Sequence, residues 1–452
     1  MPKIPSTPAI VADFAAANPR LLRALGRAVA LLALAWVAAD WAFRFGYFRW
    51  QEKWMPREQA AATAGPAAAA AERETVLPGG RGAGLTRFVP DSLLAAPYEE
   101  FHPAERRIWD ARGYPNADWS PGKAYDIALV GDSFTLSLGR RNLGEAIAEA
   151  SGRALYHHGR PATGPMWIMG EFLRSRPLDV LPPVVVWTVT ARDMSAAMFT
   201  RQPLEAWFRA ADAPRSEADA TEAEGAPRRA GVRWDLLSPR SLERDLPATS
   251  MSALLARKAW RAVRLRLFGV WPEEVLPVAR SPFGPMLFYG ENLKMLARFS
   301  PETDCEGVCN TIQRLSDWFA AKGTRLVVVL VPEKEQVYRD ILPPREREAM
   351  GPGVELLAAV AAELERREIG VVDLYPAFRE ATARGERVYW RDDTHWNDAG
   401  IAIAAQAIAD RLLPHSPPGS CPNGATAGGA NPRKNRSGEN GNSATSRAPR
   451  RP

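Results

Sequence analysis

The segment Tyr125-Asp126-Ile127-Ala128-Leu129-Val130-Gly131-Asp132-Ser133-Phe134 joins an apolar run to a glycine and a serine. The run 127–130 predicts a buried strand, and Gly131 permits a tight turn directly after it. A serine in that turn lies at the carboxyl end of a strand, where open α/β sheets bind their ligands. The segment therefore predicts an α/β sheet with Ser133 at its ligand-binding edge.

Further apolar runs alternate with amphipathic stretches along the chain. Strands are predicted at 184–189, 326–331 and 370–374, and helices at 138–150, 354–367 and 399–413. Short apolar strands separated by helices indicate a parallel sheet that is covered on both faces. We therefore expect a three-layer α/β domain with a short parallel sheet over residues 88–414.

A long insertion at about 197–300 interrupts this alternation. Its centre, 212–229, is mostly acidic, rich in alanine and poor in large apolar residues, which predicts a mobile loop. Residues 254–268 are basic and helix-like, and 285–289 indicate a strand. The insertion fits a lid, a partner-binding element or a surface excursion without function.

The N-terminus predicts a membrane anchor. Arg20, Arg23 and Arg27 precede an apolar stretch that, taken as 22–48, is long enough to cross a bilayer, which needs roughly 20 residues. Positive charge ahead of the stretch predicts residues 1–21 in the cytoplasm and the body outside. We expect a single-pass inner-membrane protein with a periplasmic domain, with a cleaved signal peptide and a buried soluble helix as the alternatives.

Two segments have the composition of linkers and tails. Residues 49–87 contain an alanine-rich stretch and a glycine-rich stretch, which predict a linker. Residues 415–452 are rich in Gly, Pro, Ser, Asn and Arg, and we expect them to be disordered. This tail carries much of the net charge of +6, so no basic stripe remains for nucleic acid.

Cysteine usage excludes a disulfide scaffold, because the chain has 3 cysteines in 452 residues. Cys305 and Cys309 lie in a predicted short loop, which fits either one local bridge or two free thiols. No cluster of further ligands accompanies them, so we expect neither a metal nor a cofactor.

A second motif, Asp392-Asp393-Thr394-His395-Trp396-Asn397, supplies the groups that a serine nucleophile needs. A serine hydroxyl reacts when a nearby histidine removes its proton, and that histidine needs a carboxylate on its other nitrogen. Ser133, His395 and one of the two aspartates therefore predict a nucleophile, a base and an orienting acid.

These motifs resemble those of the SGNH-hydrolase-like family, and most of all its branch of periplasmic alginate O-acetyltransferases. The resemblance covers about 120–200 and 310–413 and includes Val331-Pro332-Glu333-Lys334 and Val372-Asp373-Leu374. It implies a flavodoxin-like three-layer fold, with Ser133 as nucleophile and His395 as base. Asp393 has the Asp-x-His spacing of the acetyltransferase branch and is preferred, while Asp392 has the Asp-x-x-His spacing of ordinary esterases.

The family resemblance also implies two oxyanion donors. Gly159 fits the glycine that follows the second strand. After the third strand, Arg192 and Asp193 stand where the family has Gly-x-Asn-Asp. Arg192 then fits a cationic oxyanion donor, a binder of an anionic sugar or a salt-bridge partner of a nearby acid.

The activity that the resemblance implies is O-acetyl transfer to hydroxyls of an exported or cell-surface polysaccharide through an acetyl-serine intermediate. The expected partners are the polysaccharide acceptor and a multi-spanning membrane acyltransferase that supplies acetyl groups, with no nucleic acid. Two alternatives stay open: a carbohydrate esterase or deacetylase, and a non-catalytic polysaccharide-binding or assembly protein on the same scaffold.

Overall fold

The computed structural model describes residues 73–77, 84–89, 92–103, 105–110, 113–116, 119–120, 122–136, 141–161, 164–213 and 251–412, and the single positions 27, 31 and 35. All of these lie in one compact unit, Met1–Leu413, and Pro414–Pro452 lie outside the described residues. The disordered tail predicted at 415–452 therefore stays a prediction, as does the mobile loop at the centre of the insertion, of which 214–250 lie outside the described residues.

The described elements follow one another in this order. The strands are β1 Arg73–Leu77, β2 Glu105–Trp109, β3 Ile127–Gly131, β4 Leu155–Gly159, β5 Val184–Thr190, β6 Val275–Val278, β7 Met286–Tyr289, β8 Arg325–Val331 and β9 Gly370–Asp373. The helices are α1 Ser92–Ala95, α2 Ser133–Leu136, α3 Leu143–Ser151, α4 Pro165–Ser175, α5 Ala196–Thr200, α6 Leu204–Asp212, α7 Met251–Phe268, α8 Gly290–Leu296, α9 Pro301–Ala320, α10 Lys334–Val337, α11 Pro344–Ala349, α12 Leu356–Arg366, α13 Leu374–Ala383 and α14 Asp398–Leu412.

The central sheet has five strands in the order β4-β3-β5-β8-β9, and every neighbouring pair is parallel. All residues of β3 and β5 are buried because helices cover the sheet. Among these helices α3 packs against α14, and α9 packs against α12. The predicted α/β fold with a short parallel sheet is confirmed, and the carboxyl ends of β3, β5 and β8 meet at one edge.

The helix predicted at 138–150 begins later, at Leu143. Asn142 caps it, since its side-chain oxygen accepts from the backbone N–H of Glu145 at 2.9 Å. The Glu145 carboxylate in turn accepts from the backbone N–H of Asn142 at 3.2 Å. This capping box fixes the start of α3, whereas the serine-bearing turn forms the separate helix α2.

The insertion carries a small second core. The strand predicted at 285–289 is present as β7, which pairs antiparallel with β6, and the helix predicted at 254–268 is present as α7. Leu265 of α7 is buried together with Leu85, Tyr98 and Leu287. The segment before the first parallel strand therefore packs against the insertion.

Part of the predicted linker is structured. Residues Arg73–Leu77 pair antiparallel with Glu105–Trp109 as β1 and β2. The anchor predicted at 22–48 and the cytoplasmic stretch 1–21 lie, apart from positions 27, 31 and 35, outside the described residues. Within the described part of the chain, no helix is long and apolar enough to cross a membrane.

The prediction of a short loop around the cysteine pair is wrong, because Cys305 and Cys309 lie one turn apart in helix α9. Their sulfur atoms are 3.9 Å apart, and both cysteines are free thiols. Burial raises the pKa of both thiols, which keeps them protonated and unreactive near neutral pH.

Candidate active site

Ser133 lies in a tight turn between β3 and α2. The Asp132 carboxylate accepts from the backbone N–H of Phe134 at 3.0 Å, and the Thr135 hydroxyl donates to the Asp132 carbonyl at 2.8 Å. A Cβ on Gly131 would meet the Thr188 hydroxyl at 2.1 Å, so no side chain fits there. This close packing places Ser133 at the carboxyl end of the sheet.

The loop between α13 and α14 brings His395 to that serine, across 262 residues of sequence. His395 Nε2 lies 2.8 Å from Ser133 Oγ, and His395 Nδ1 lies 2.6 Å from Asp393 Oδ1. The same carboxylate oxygen accepts from the backbone N–H of His395 at 2.9 Å. Ser133 and His395 are half-buried, while Asp393 is buried, so the hydroxyl is reachable and the acid is not.

The electrostatics of this triad favour an ionised acid. Burial alone would raise the pKa of Asp393, but the charge of His395 and the hydrogen bonds from it lower that pKa to about 2. Asp393 is therefore a carboxylate throughout the neutral range. It can fix the proton on Nδ1 and leave Nε2 to accept one from Ser133.

The neighbouring carboxylate has a different partner. Asp392 is fully buried and accepts from the backbone N–H of Glu100 at 2.9 Å, and its Oδ1 lies 2.8 Å from His102 Nε2. Burial would lower the pKa of His102, but the hydrogen bond and charge of Asp392 raise it. The structure thus brings Asp393 to His395 and keeps Asp392 at the segment around His102.

Trp396 links the histidine loop to the nucleophile turn. Its indole N–H donates to the Phe134 carbonyl at 2.9 Å, and the two rings meet edge to face with centroids 5.3 Å apart. Trp396 is fully buried. This contact fixes the position of His395 relative to Ser133.

Lys334 binds the loop that carries Asp393 and His395 through its ammonium group. Its Nζ lies 2.7 Å from the Leu287 carbonyl, 2.6 Å from that of Trp390, 2.9 Å from that of Arg391 and 3.0 Å from that of Asp393. Three of these four acceptors belong to the loop that carries Asp393 and His395. The ammonium group thus satisfies buried carbonyls that would otherwise have no donor.

Lys334 belongs to a charged run, Glu333-Lys334-Glu335-Gln336, in which every residue is fully buried. Burial lowers the pKa of Lys334 to about 8, against the opposing charges of Glu335 and Asp393. Lys334 is therefore still protonated for the most part at pH 7. Asn292 donates to both glutamates of the run, at 2.9 and 3.1 Å, which joins it to helix α8.

Arg192 pairs with an acid that follows the neighbouring strand β8. Its Nε lies 2.8 Å from Glu333 Oε1, and its backbone N–H donates to the same oxygen at 3.2 Å. Asp193, adjacent in sequence, instead accepts from the Thr190 hydroxyl. The Arg192 guanidinium lies over the Phe134 ring at 5.3 Å, so the cation is next to the nucleophile turn.

Asp132 is a second acid whose pKa is shifted by its surroundings. Burial raises the pKa of Asp132 to about 6, and the nearby Asp193 adds to the rise, while Arg192 and His395 oppose it. Its carboxylate holds the turn through Phe134 and lies close enough to interact with the His395 charge. Asp132 therefore both stabilises the turn and interacts electrostatically with the base His395.

Gly159 ends β4, directly beside Gly131 of β3. A Cβ on Gly159 would lie 2.6 Å from the Thr135 hydroxyl and 2.5 Å from His157 Nε2. Close packing thus explains why position 159 is a glycine. The role of Gly159 as an oxyanion donor stays a prediction.

Sequence reasoning missed His102 as a residue that holds the site, and it left open whether Lys334 faces solvent or lines the site. His102 lies 290 residues from its partner Asp392 and stands in no recognisable pattern. Lys334 belongs to the charged run that follows β8, at the carboxyl end of a parallel strand, and this position was the available signal. Charged residues that follow a buried strand can face the ligand-binding edge of the sheet as well as solvent.

Part of the chain matches a known protein family. Residues 287–449 match the family model described as an SGNH hydrolase-like domain, acetyltransferase AlgX. The matched residues include Asp393 and His395 but not Ser133. The resemblance to SGNH-hydrolase-like proteins of alginate acetylation is confirmed.

Individual relatives match over a short stretch. The "Probable alginate O-acetylase AlgJ" of Pseudomonas putida is 34% identical over 101 residues, which cover 22% of this chain and 26% of the relative. The alginate biosynthesis protein AlgX of the same organism is 34% identical over 107 residues, 22% of each chain. The matched stretch thus spans about a quarter of the length of these relatives.

Solved structures share the fold only loosely. A lipase/acylhydrolase from Enterococcus faecalis is 12% identical, covers 63% of this chain and 94% of its own, and has a TM-score of 0.30. An acetyl xylan esterase is 11% identical, covers 64% and 99% of the two chains, and has a TM-score of 0.31.

Proposed function

We propose, from the match to the SGNH hydrolase-like acetyltransferases, that this chain is a serine-dependent O-acyltransferase. It would transfer acetyl groups to hydroxyls of an exported or cell-surface polysaccharide. The observation that carries the proposal is the chain of contacts from Ser133 Oγ through His395 to Asp393, with distances of 2.8 and 2.6 Å. Such an arrangement activates a serine towards an acyl carbon.

In the first half of the reaction, Ser133 Oγ attacks the carbonyl carbon of the acetyl donor while His395 Nε2 takes the hydroxyl proton. The negative charge of Asp393 stabilises the imidazolium that forms. The donor's leaving group then departs with that proton, and the acetyl group stays on Ser133 as an ester. Gly159 and Arg192 are the proposed donors to the oxyanion in this step.

In the second half, a sugar hydroxyl attacks the ester carbon. His395 takes the proton of that hydroxyl, and Ser133 Oγ leaves and recovers a proton from His395. The product is an O-acetylated sugar and the free serine. Because Ser133 and His395 are half-buried, an acceptor can reach them from solvent.

The acceptor class is taken from the relatives, whose names refer to alginate O-acetylation and alginate biosynthesis. We propose in addition that residues 22–48 anchor the chain in the inner membrane, with the catalytic domain in the periplasm. A multi-spanning membrane acyltransferase would then supply acetyl groups, since cytoplasmic acetyl donors do not reach that compartment directly.

A second candidate is an esterase or deacetylase of the same polymers. The exposure of the His395 side chain, 19%, favours it because water can reach the base. Both reactions pass through the same serine ester and differ in the acceptor that resolves it.

The test measures where the acetyl group goes. The full chain is incubated with an activated acetyl ester and a uronic-acid oligosaccharide, and acetylated sugar and free acetate are both quantified. We expect acetylated sugar from the wild type and from the control Ser120→Ala, whose serine is exposed, and none from Ser133→Ala. Free acetate alone would establish the esterase, and sugar acetylation by Ser133→Ala would refute the serine mechanism.

A further inference from the structure

Trp167 is the exposed residue in an otherwise buried turn of helix α4. Its neighbours Met166 and Ile168 are 1% and 0% exposed, whereas Trp167 is 46% exposed. The turn is fixed to the central sheet, because the indole N–H of Trp187 in β5 donates to the Pro165 carbonyl at 3.2 Å. The Trp167 indole is therefore held at the surface by a helical turn that is itself anchored in the core.

The Arg160 guanidinium packs against this indole. It lies 5.8 Å from the centroid of the Trp167 ring and 5.5 Å from that of the Tyr114 ring. Glu171 of α4 pairs with Arg160 Nη1 at 3.0 Å and accepts from the Tyr114 hydroxyl at 2.7 Å. Tyr114 in turn stacks on the buried ring of His158 in β4, with centroids 4.0 Å apart. A series of planar groups in contact thus runs from the sheet to the exposed indole.

Arg160 and Trp167, which we call the platform, lie beside the nucleophile turn. Arg160 directly follows Gly159, and its backbone N–H donates to the Gly131 carbonyl at 3.2 Å. Gly131 precedes Ser133 by two positions in the chain. Because neighbouring strands lie about 4.8 Å apart, the backbone of Arg160 is roughly the length of one sugar ring from that of Gly131. A polymer with one hydroxyl at Ser133 therefore extends over this surface when it runs towards the β4 side.

We propose that the platform is a subsite for a sugar ring of the acceptor polysaccharide, close to the ring that is acetylated. The proposal rests on the proposed function, which requires a polymer at Ser133. One face of a pyranose ring consists of C–H groups and packs on an indole, while its hydroxyl or carboxylate groups accept from a guanidinium. Arg160 is 41% exposed in its side chain and can meet such groups while Glu171 holds its orientation. Since Glu171 matches the charge of Arg160, contact with the indole is the main source of affinity.

The first experiment measures binding of the acceptor without the serine ester. The full chain with Ser133→Ala is titrated with a uronic-acid hexasaccharide, alone and with a second substitution, Trp167→Ala, Trp167→Tyr or Trp260→Ala. Trp260 is 60% exposed on α7 and is the matched control. We expect Trp167→Ala to raise the Kd at least about tenfold, because interface tryptophans often dominate affinity. Trp167→Tyr keeps a flat ring and should recover most of the affinity, and Trp260→Ala should change the Kd less than about twofold.

Acceptor length gives a second measurement, in the protein that retains Ser133. Trp167→Ala should raise the KM for acetylation of the hexasaccharide about tenfold. It should change the KM for a uronic-acid monosaccharide less than about twofold, because a single ring that is acetylated lies at Ser133 and not on the indole.

Equal Kd values with and without Trp167→Ala would overturn the subsite, as would an equal loss of affinity in Trp260→Ala. The titration decides this even if the wild type forms no acetyl-serine, a result that would overturn the proposed function and leave the sugar-binding platform in place.

Discussion

Asp392 and Asp393 are adjacent in the chain, yet their carboxylates bind two different histidines. Asp393 Oδ1 lies 2.6 Å from His395, and Asp392 Oδ1 lies 2.8 Å from His102. One acid therefore serves the base of the triad. The other ties the triad loop to the segment that precedes the first parallel strand.

This division predicts different effects on catalysis of two matched substitutions. Asp393→Asn should lower kcat by about 10³- to 10⁴-fold, because the amide no longer fixes the Nδ1 proton of His395. Asp392→Asn should change kcat by less than about tenfold but lower the free energy of unfolding by roughly 1–3 kcal/mol, since a buried charged hydrogen bond is lost. Ester turnover and urea unfolding measure the two quantities, and the reverse pattern would show that Asp392 is the triad acid.

Lys334→Met should destabilise the loop that carries His395. Several buried carbonyls lose their donor, and each unsatisfied group costs about 1–3 kcal/mol, so we expect a loss of at least about 3 kcal/mol in the free energy of unfolding. We also expect kcat to fall at least about tenfold at a temperature where the variant is folded, because a small displacement of the base is costly.

Lys322→Met provides the control for that prediction. Its side chain is 41% exposed and pairs with Asp212 at the surface. Its loss should change the free energy of unfolding by less than about 1 kcal/mol. Equal stability of Lys334→Met and the wild type would contradict the role of Lys334 in holding the loop.

The raised pKa of Asp132 predicts a pH-dependent gain in stability for Asp132→Asn. In the wild type the protonated form is favoured by folding, so stability falls as the pH rises from about 4, the unfolded pKa, through about 6, the folded one. The asparagine variant does not lose this stability. It should gain up to about 3 kcal/mol over the wild type between pH 4 and pH 7.

Unfolding by urea at both pH values tests this difference. Asp126→Asn is the control, because Asp126 is exposed and should show no such gain. The variant Asp132→Asn should also turn over ester more slowly, since His395 loses a nearby negative charge. A stability difference that is constant with pH would contradict a raised pKa of Asp132.

The elements that the sequence predicts well are those with a local pattern. The runs of β3, β5 and β8 are continuously apolar because both faces of the sheet are covered, and Gly131 marks the turn before Ser133. The resemblance to the acetyltransferase branch also favoured Asp393 over Asp392. The capping box at Asn142 was the main local signal that the helix prediction did not use.

The features of the site that could not be predicted from the sequence depend on contacts between distant segments. The run from Glu333 to Gln336 has the composition of an exposed turn, yet it is fully buried because its charges meet Arg192, Asn292 and backbone carbonyls. A single sequence contains no information on such pairings until the topology is known.

The central claim is that Ser133 carries the acyl group, and intact-mass analysis of the full chain after exposure to an activated acetyl ester tests it most directly. The wild type should gain one acetyl group, Ser133→Ala should gain none, and His395→Ala should gain it far more slowly. An acetyl adduct that persists in Ser133→Ala, or a folded wild type with neither adduct nor ester turnover, would contradict the account.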